Sequence, residues 1–333
     1  MTASLSFKID RALAALAGGA LGDAMGMPTQ LLSPQQISAR YGRVEDFVTP
    51  TDDHPVSKGL EAGTITDDTE QALLLGGVLL HASRGFDHHL WIEELVRWED
   101  DIRARGGYDL LGPSTKRAIE AIRNGVTPEQ AGRYGDTNGA AMRIAPVGIM
   151  KTPADGLIAT VAETCRATHN TSIAISAAAA VATVVSCGLD GMGWREAVRR
   201  GIEAASRAEG EGVWIAGALD LAAKARTADE IADMFALIGT SVASQESVPA
   251  AFATLALAQG DAWRAAVIAA NLGGDTDTIG AIAGSMAGAC SGMASLPADK
   301  IARLHGFDAV AAADLAERLV RARLGVEPGG RDG

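Results

Sequence analysis

Two short acidic stretches constrain this chain more than anything else in it. The first is Gly63-Thr64-Ile65-Thr66-Asp67-Asp68-Thr69-Glu70; the second is Asn271-Leu272-Gly273-Gly274-Asp275-Thr276-Asp277-Thr278-Ile279-Gly280. Each crowds carboxylates and threonine hydroxyls just ahead of a helical run of small or apolar residues, 72–80 in one case and 281–289 in the other. Singly, each reads as a capped helix start. Asp275 or Thr276 can accept the free N–H groups of a first turn, and Asp67 with Glu70 fits a capping box. Together, roughly 210 residues apart, they read as two halves of one site. Bringing so many carboxylates together is costly unless cations lie between them. Hard oxygen donors suit Mg²⁺, Mn²⁺ or Ca²⁺ far better than zinc.

The rest of the chain must supply helices to hold those halves. The sequence is 47% hydrophobic but only 4% aromatic, so its core has to come from closely approaching helices with small side chains between them. Apolar residues at helical spacing run over 10–21, and Gly18, Gly19, Gly22 and Gly26 would let a neighbouring helix come close. Further helices are predicted at 69–82, 86–103, 113–124, 127–133 and 172–187, with a turn at Arg84-Gly85. Others follow at 194–208, 213–225, 228–238, 248–258, 261–270, 298–304 and 308–324. Trp91, Leu95 and Trp98 make a core stripe. Residues 41–62 read as a loop, a lid or wall, in which Thr51-Asp52-Asp53 is a turn and His54 an exposed histidine. His88 and His89 are expected to be solvated. No strand or linker signal breaks the series, so 1–326 reads as one all-α domain and 327–333 as a flexible tail.

Several functions are argued against. A net charge of −12 disfavours broad electrostatic binding to nucleic acid. The apolar 173–187 run is short and alanine-rich, while a membrane span needs roughly 20 strongly apolar residues, so a buried helix is expected and no membrane partner. There is no signal-peptide pattern at the start. Cys165, Cys187 and Cys290 have no metal-type spacing, which fits free thiols in a reducing cytoplasm. Oligomeric state stays open.

Three more polar places stand out. Asp23, in Gly22-Asp23-Ala24-Met25-Gly26, is set in apolar surroundings and needs hydrogen-bond partners or must neutralise. In Gly135-Asp136-Thr137-Asn138-Gly139-Ala140-Ala141-Met142-Arg143, Asn138 and the main-chain N–H groups could hold ribose or phosphate oxygens, although the same residues make an ordinary turn. His169 stands at the polar start of the 172–187 helix, where a ligand contact and a cap are both open.

Gly-Asp-Ala-Met-Gly at 22–26, Thr-Asp-Asp-Thr at 66–69, the 135–143 segment and Gly-Gly-Asp-Thr-Asp-Thr at 273–278 together resemble the ADP-ribosylglycohydrolases in residues, order and separation. The resemblance implies a compact, all-α orthogonal multi-helix bundle with a binuclear Mg²⁺ or Mn²⁺ centre. The metal ligands it implies are Thr66, Asp67, Asp68, Asp275, Asp277 and Thr278. Asp68 and Asp23 become the catalytic candidates, Asp23 as a support that orients water. Gln30, Asp136, Asn138, Gly139, Met142 and His169 become the substrate-binding candidates. The implied substrate is a small ribosyl compound, by family default an ADP-ribose conjugate. Breaking its C1″ bond develops positive charge on the sugar, and divalent ions can position the ribose hydroxyls and acidify water.

One position departs from the family pattern. Many members that cleave ADP-ribose from proteins carry a glutamate seven residues after the Asp of the Gly-Asp motif, where this chain has Gln30. An amide is no base. Three readings follow: Asp68 or Asp23 serves as base, the substrate is a nucleoside, or the protein binds a ribosyl ligand without turning it over.

Overall fold

The computed structural model describes residues 3–81, 86–106, 112–208, 210 and 212–326. Helices are the regular elements among them. The first half holds α1 (Leu5–Gly26), α2 (Pro34–Tyr41), α3 (Asp67–His81), α4 (His88–Ala104), α5 (Pro113–Arg123), α6 (Pro128–Gly132), α7 (Gly139–Met142), α8 (Ala145–Met150) and α9 (Leu157–Cys165). The second half holds α10 (Ser172–Leu189), α11 (Trp194–Arg207), α12 (Gly212–Ala222), α13 (Ala228–Ile238), α14 (Ser244–Leu257), α15 (Ala262–Ala269), α16 (Thr276–Ser291), α17 (Ala298–Ile301) and α18 (Ala309–Leu324). Extended pairing among the described residues is limited to isolated bridges, Thr64 with His305 and Thr137 with Ala243. The all-α expectation is met. The Arg84-Gly85 turn and residues 327–333 lie outside the described residues.

Glycine spacing sets the centre of the molecule. Gly18, Gly22 and Gly26 lie on one stripe of α1; Gly280, Gly284 and Gly288 lie on one stripe of α16. The helices run antiparallel with backbone against backbone. A Cβ on Gly22 would fall on the Gly280 carbonyl, one on Gly18 on the Gly284 carbonyl, and one on Gly288 on the Ala14 carbonyl. Gly22-Asp23-Ala24-Met25-Gly26, which the sequence places after the first helix, is therefore its last turn. The seam closes with Thr276, whose Oγ1 donates to the Gly26 carbonyl at 2.8 Å and lies 3.0 Å from Thr29 Oγ1. Asp23 and the acidic start of α16 are thereby held at one end of the seam.

α10 packs across the same core. It is long and apolar enough to cross a membrane, but 83% of it is buried inside the protein, so its apolar residues face other helices of the chain. Trp91 and Leu95 join the main core, and Trp98 packs in a smaller cluster with Ile102.

Several local expectations are corrected. α2 was not anticipated, although Ser33 and Gln36 form a full capping box at its start. The short α8 and α9 were also missed. The Asp67/Glu70 box does not form; Glu70 accepts instead from Trp98 Nε1 at 2.7 Å and pairs with Arg105. His54 is buried rather than exposed. His88 is partly buried, with Nε2 2.7 Å from Glu163.

Candidate metal and substrate site

The two acidic stretches meet at the N-termini of α3 and α16. Asp67 and Asp68 are the first residues of α3, while Asp275 precedes α16 and makes no side-chain cap. Asp23 reaches across from α1. Its carboxylate accepts from Thr66 N–H at 2.9 Å, from Thr66 Oγ1 at 2.7 Å, from Thr69 N–H at 3.1 Å and from the Thr69 hydroxyl. Asp23, Asp68 and Asp277 each place one oxygen within 4.8 Å of the others. Asp23 is thus near enough to Asp68 and Asp277 to share a cation with them, while Thr66 and Thr69 hold its carboxylate.

Burial makes this cluster electrostatically demanding. Asp23 is pushed up to about 6 by burial, against the pull of its Thr69 and Thr66 hydrogen bonds. Burial, then the charges of neighbouring carboxylates, raises Asp67, Asp68 and Asp277 well above the usual range. Asp275 is raised by burial and eased by a hydrogen bond from Asn138 Nδ2. Asp68 Oδ1 is buried with no hydrogen-bond partner. Such an orphaned oxygen, inside a set of hard oxygen donors, fits a divalent cation of the Mg²⁺ or Mn²⁺ kind.

A cavity of about 140 Å³ opens beside these acids. Of the candidate residues, Asp67, Asp68, Asp275, Asp277, Thr278, Gln30, Asn138, Gly139 and Met142 line it. Thr66 does not; it is buried behind, on Asp23 and 3.2 Å from Asp68 Oδ2. Asp136 is exposed and outside the lining. His169 is also outside it, buried beneath Gly139, where its ring fills the space a Cβ would need. Its Nε2 lies 3.0 Å from Thr137 Oγ1 and its Nδ1 2.8 Å from Thr168 Oγ1. Burial, then Arg143 and Arg117, keeps that ring neutral. Val56, from the 41–62 loop, is part of the cavity wall.

Sequence reasoning missed the groups behind the acids. Arg143 is fully buried, its pKa brought down to about 10 by burial, and donates to Gln71 Oε1 at 2.7 Å and Thr168 Oγ1 at 2.6 Å. Gln71 Nε2 in turn donates to Asp67 at 3.4 Å. A lone arginine in Gly-Ala-Ala-Met-Arg was the available signal. Asn138 is further held by Ser247 at 2.8 Å. Leu31 takes a left-handed backbone with φ 60°, unusual for a bulky residue, and donates its N–H to the Gly274 carbonyl at 2.7 Å. That bond clips the α1–α2 turn to the loop carrying Asp275.

Comparison with known proteins agrees with this fold. The family model described as ADP-ribosylglycohydrolase matches residues 4–328. The Escherichia coli (strain K12) protein named "Uncharacterized protein YegU" is 36% identical, over 86% of this chain and 89% of its own. The ADP-ribosyl-dinitrogen reductase glycohydrolase of Rhodospirillum rubrum is 29% identical, over 89% and 90%. A solved structure titled "ADP-ribosylglycohydrolase-related protein complex" superposes with a TM-score of 0.72 at 28% identity, covering 96% of this chain and 99% of that one.

Proposed function

The chain belongs to the ADP-ribosylglycohydrolase family, and from that premise we propose that it is a metal-dependent hydrolase of the ribosyl bond of an ADP-ribose conjugate. Members of the family are glycosidases that act on such conjugates. The observation that carries the metal dependence is the charge balance. Five aspartates are buried together, Asp68 Oδ1 has no partner, and no Lys, Arg or His is among the described residues lining the cavity.

Thr66, Asp67, Asp68, Asp275, Asp277 and Thr278 would hold two divalent cations, Mg²⁺ or Mn²⁺, with Asp23 close enough to contribute. Bound there, such ions would keep these carboxylates ionised, orient the ribose hydroxyls and acidify water. The chain's own groups do the rest. Asn138 Nδ2 steadies the Asp275 carboxylate, and Thr66 and Thr69 fix Asp23. Asp68 takes the proton of the attacking water as the water oxygen bonds to C1″. Positive charge grows on the ribose while the C1″–N or C1″–O bond lengthens. The leaving atom keeps the electron pair of that bond and takes up the proton that Asp68 accepted. Turnover of arginine- and serine-linked ADP-ribose tests this. Asp67→Ala and Asp277→Ala are expected to lose both divalent-ion binding and turnover, and turnover persisting in metal-stripped protein would overturn the reading.

That no cationic side chain is among the described lining residues also favours a second reading, a nucleoside-type N-ribohydrolase. A pyrophosphate would find no positive side-chain charge among the described residues lining this cavity, whereas a nucleoside needs none. Release of free base from nucleosides with no action on ADP-ribose conjugates would select it; metal-dependent binding of ADP-ribose without product would instead indicate a silent binder.

A further inference from the structure

Gln30 is held in one orientation by a hydroxyl whose proton is already committed. Ser57 is fully buried, and its Oγ donates to the Met27 carbonyl at 2.9 Å. Only lone pairs remain for its other neighbour, so Gln30 must present its amide nitrogen, and Nε2 donates to Ser57 Oγ at 3.1 Å. Ser57 itself is anchored from behind. Its N–H donates to His54 Nδ1 at 2.9 Å, with Val56 N–H at 3.3 Å. Moving the 54–57 turn would strand several buried polar groups at once.

With Nε2 fixed, Oε1 is the end of the Gln30 amide left for the cavity that Gln30 lines with the aspartates. We propose that Gln30 is a specificity residue, presenting Oε1 as a neutral acceptor to an N–H or O–H donor on the ribosyl substrate. Ser57 is the positioning residue that fixes this orientation and selects an amide over a carboxylate. This deepens the proposed function and rests on that cavity being the substrate site.

The chemistry is asymmetric. A carboxylate at position 30 has no proton for Ser57. Ser57 would have to turn its own proton toward it, leaving the buried Met27 carbonyl without a donor, which is costly. It would also add a sixth negative charge beside five. The site therefore suits substrates that meet Gln30 with a neutral donor, such as a ribose hydroxyl or a nucleobase amide N–H.

Thermal melts of the full-length protein and Mg²⁺-supported titration with ADP-ribose test the two halves. The variants are Gln30→Glu, Gln30→Met, Ser57→Ala, Ser57→Thr and the Gln30→Glu/Ser57→Ala double. Gln30→Glu should lower Tm, and by clearly less when Ser57 is already alanine; Ser57→Thr, which keeps the hydroxyl, should retain wild-type ADP-ribose affinity. Gln30→Met fills the space without an acceptor and should weaken ADP-ribose roughly tenfold, the worth of about one hydrogen bond. An equal Tm loss with and without Ser57 overturns the clamp. Unchanged affinity in Gln30→Met overturns the specificity role. Failure of wild type to bind ADP-ribose counts against the proposed substrate, while the melting cycle still judges the clamp by itself.

Discussion

Asp277 lies inside the fold within 4.8 Å of oxygens on Asp23 and Asp68, and its pKa is raised by burial and then by Asp275, Asp23 and Asp67. Asparagine there keeps the shape and removes the charge. In metal-free protein Asp277→Asn should therefore stabilise, by about 0.5–2 kcal/mol, as substitutions that relieve a functional strain often do. In Mg²⁺ or Mn²⁺ the order should reverse, because the variant loses the gain that binding gives wild type. Melting curves with chelator and with metal check both signs; a destabilised metal-free variant would refute the charge argument. The acids of this cluster were legible because each stands in a compact motif. The closeness of Asp23 to Asp68 and Asp277 was not, since its hydrogen-bond partners Thr66 and Thr69 come from another segment 43 and 46 residues away. His88 was misread for the same reason, its partner Glu163 being 75 residues distant.

The pairing of α1 with α16 carries this logic to whole elements. Helical spacing shows which residues share a stripe, and it placed most helices within a few residues of their ends. It does not show which stripe meets which, because glycine and alanine faces look alike. The seam becomes visible only when Gly22 is seen to leave room for the Gly280 carbonyl. Gly22→Ala should be strongly destabilising. Its methyl group meets main chain that cannot rotate away, so the cost should reach or exceed the ~1–3 kcal/mol typical of overpacking. Because Asp23 is the next residue, forcing the helices apart also shifts the carboxylate from its threonines. The variant should lose part of its metal-dependent Tm gain along with its basal Tm. Gly77→Ala, on α3 with nothing within 4 Å of an added Cβ, is the control. Its small effect, or a slight gain from better helix propensity, separates crowding at the seam from a general intolerance of substitution.

At the scale of the whole molecule, the net charge of −12 matters less than the five aspartates enclosed in it. Their raised pKa values fix a sign. Asp23 titrates at about 6 in the folded protein against 3.8 ordinarily, so its contribution to metal-free stability is full below the lower value and is lost as pH rises through the upper one. Asp67, Asp68, Asp275 and Asp277 shift the same way. Two groups of residues act in other directions. Asp46, held at about 2 because Lys300 and Arg303 outweigh its burial, adds stability that disappears only as acid takes pH down toward that value. His54 and His169 are kept neutral by burial and favour folding as pH rises past the ordinary histidine range. All three are common to metal-free and metal-loaded protein, so the difference between the two melts cancels them. What remains is competition between protons and cations for the same oxygens. The Tm gain from Mg²⁺ or Mn²⁺ should be near zero at about pH 4 and keep growing as pH rises through and beyond the range around 6, following RT ln(1 + [M]/Kd) as Kd falls. A gain already level by about pH 5, where unperturbed carboxylates are ionised, would place the cations on ordinary surface carboxylates, away from these five.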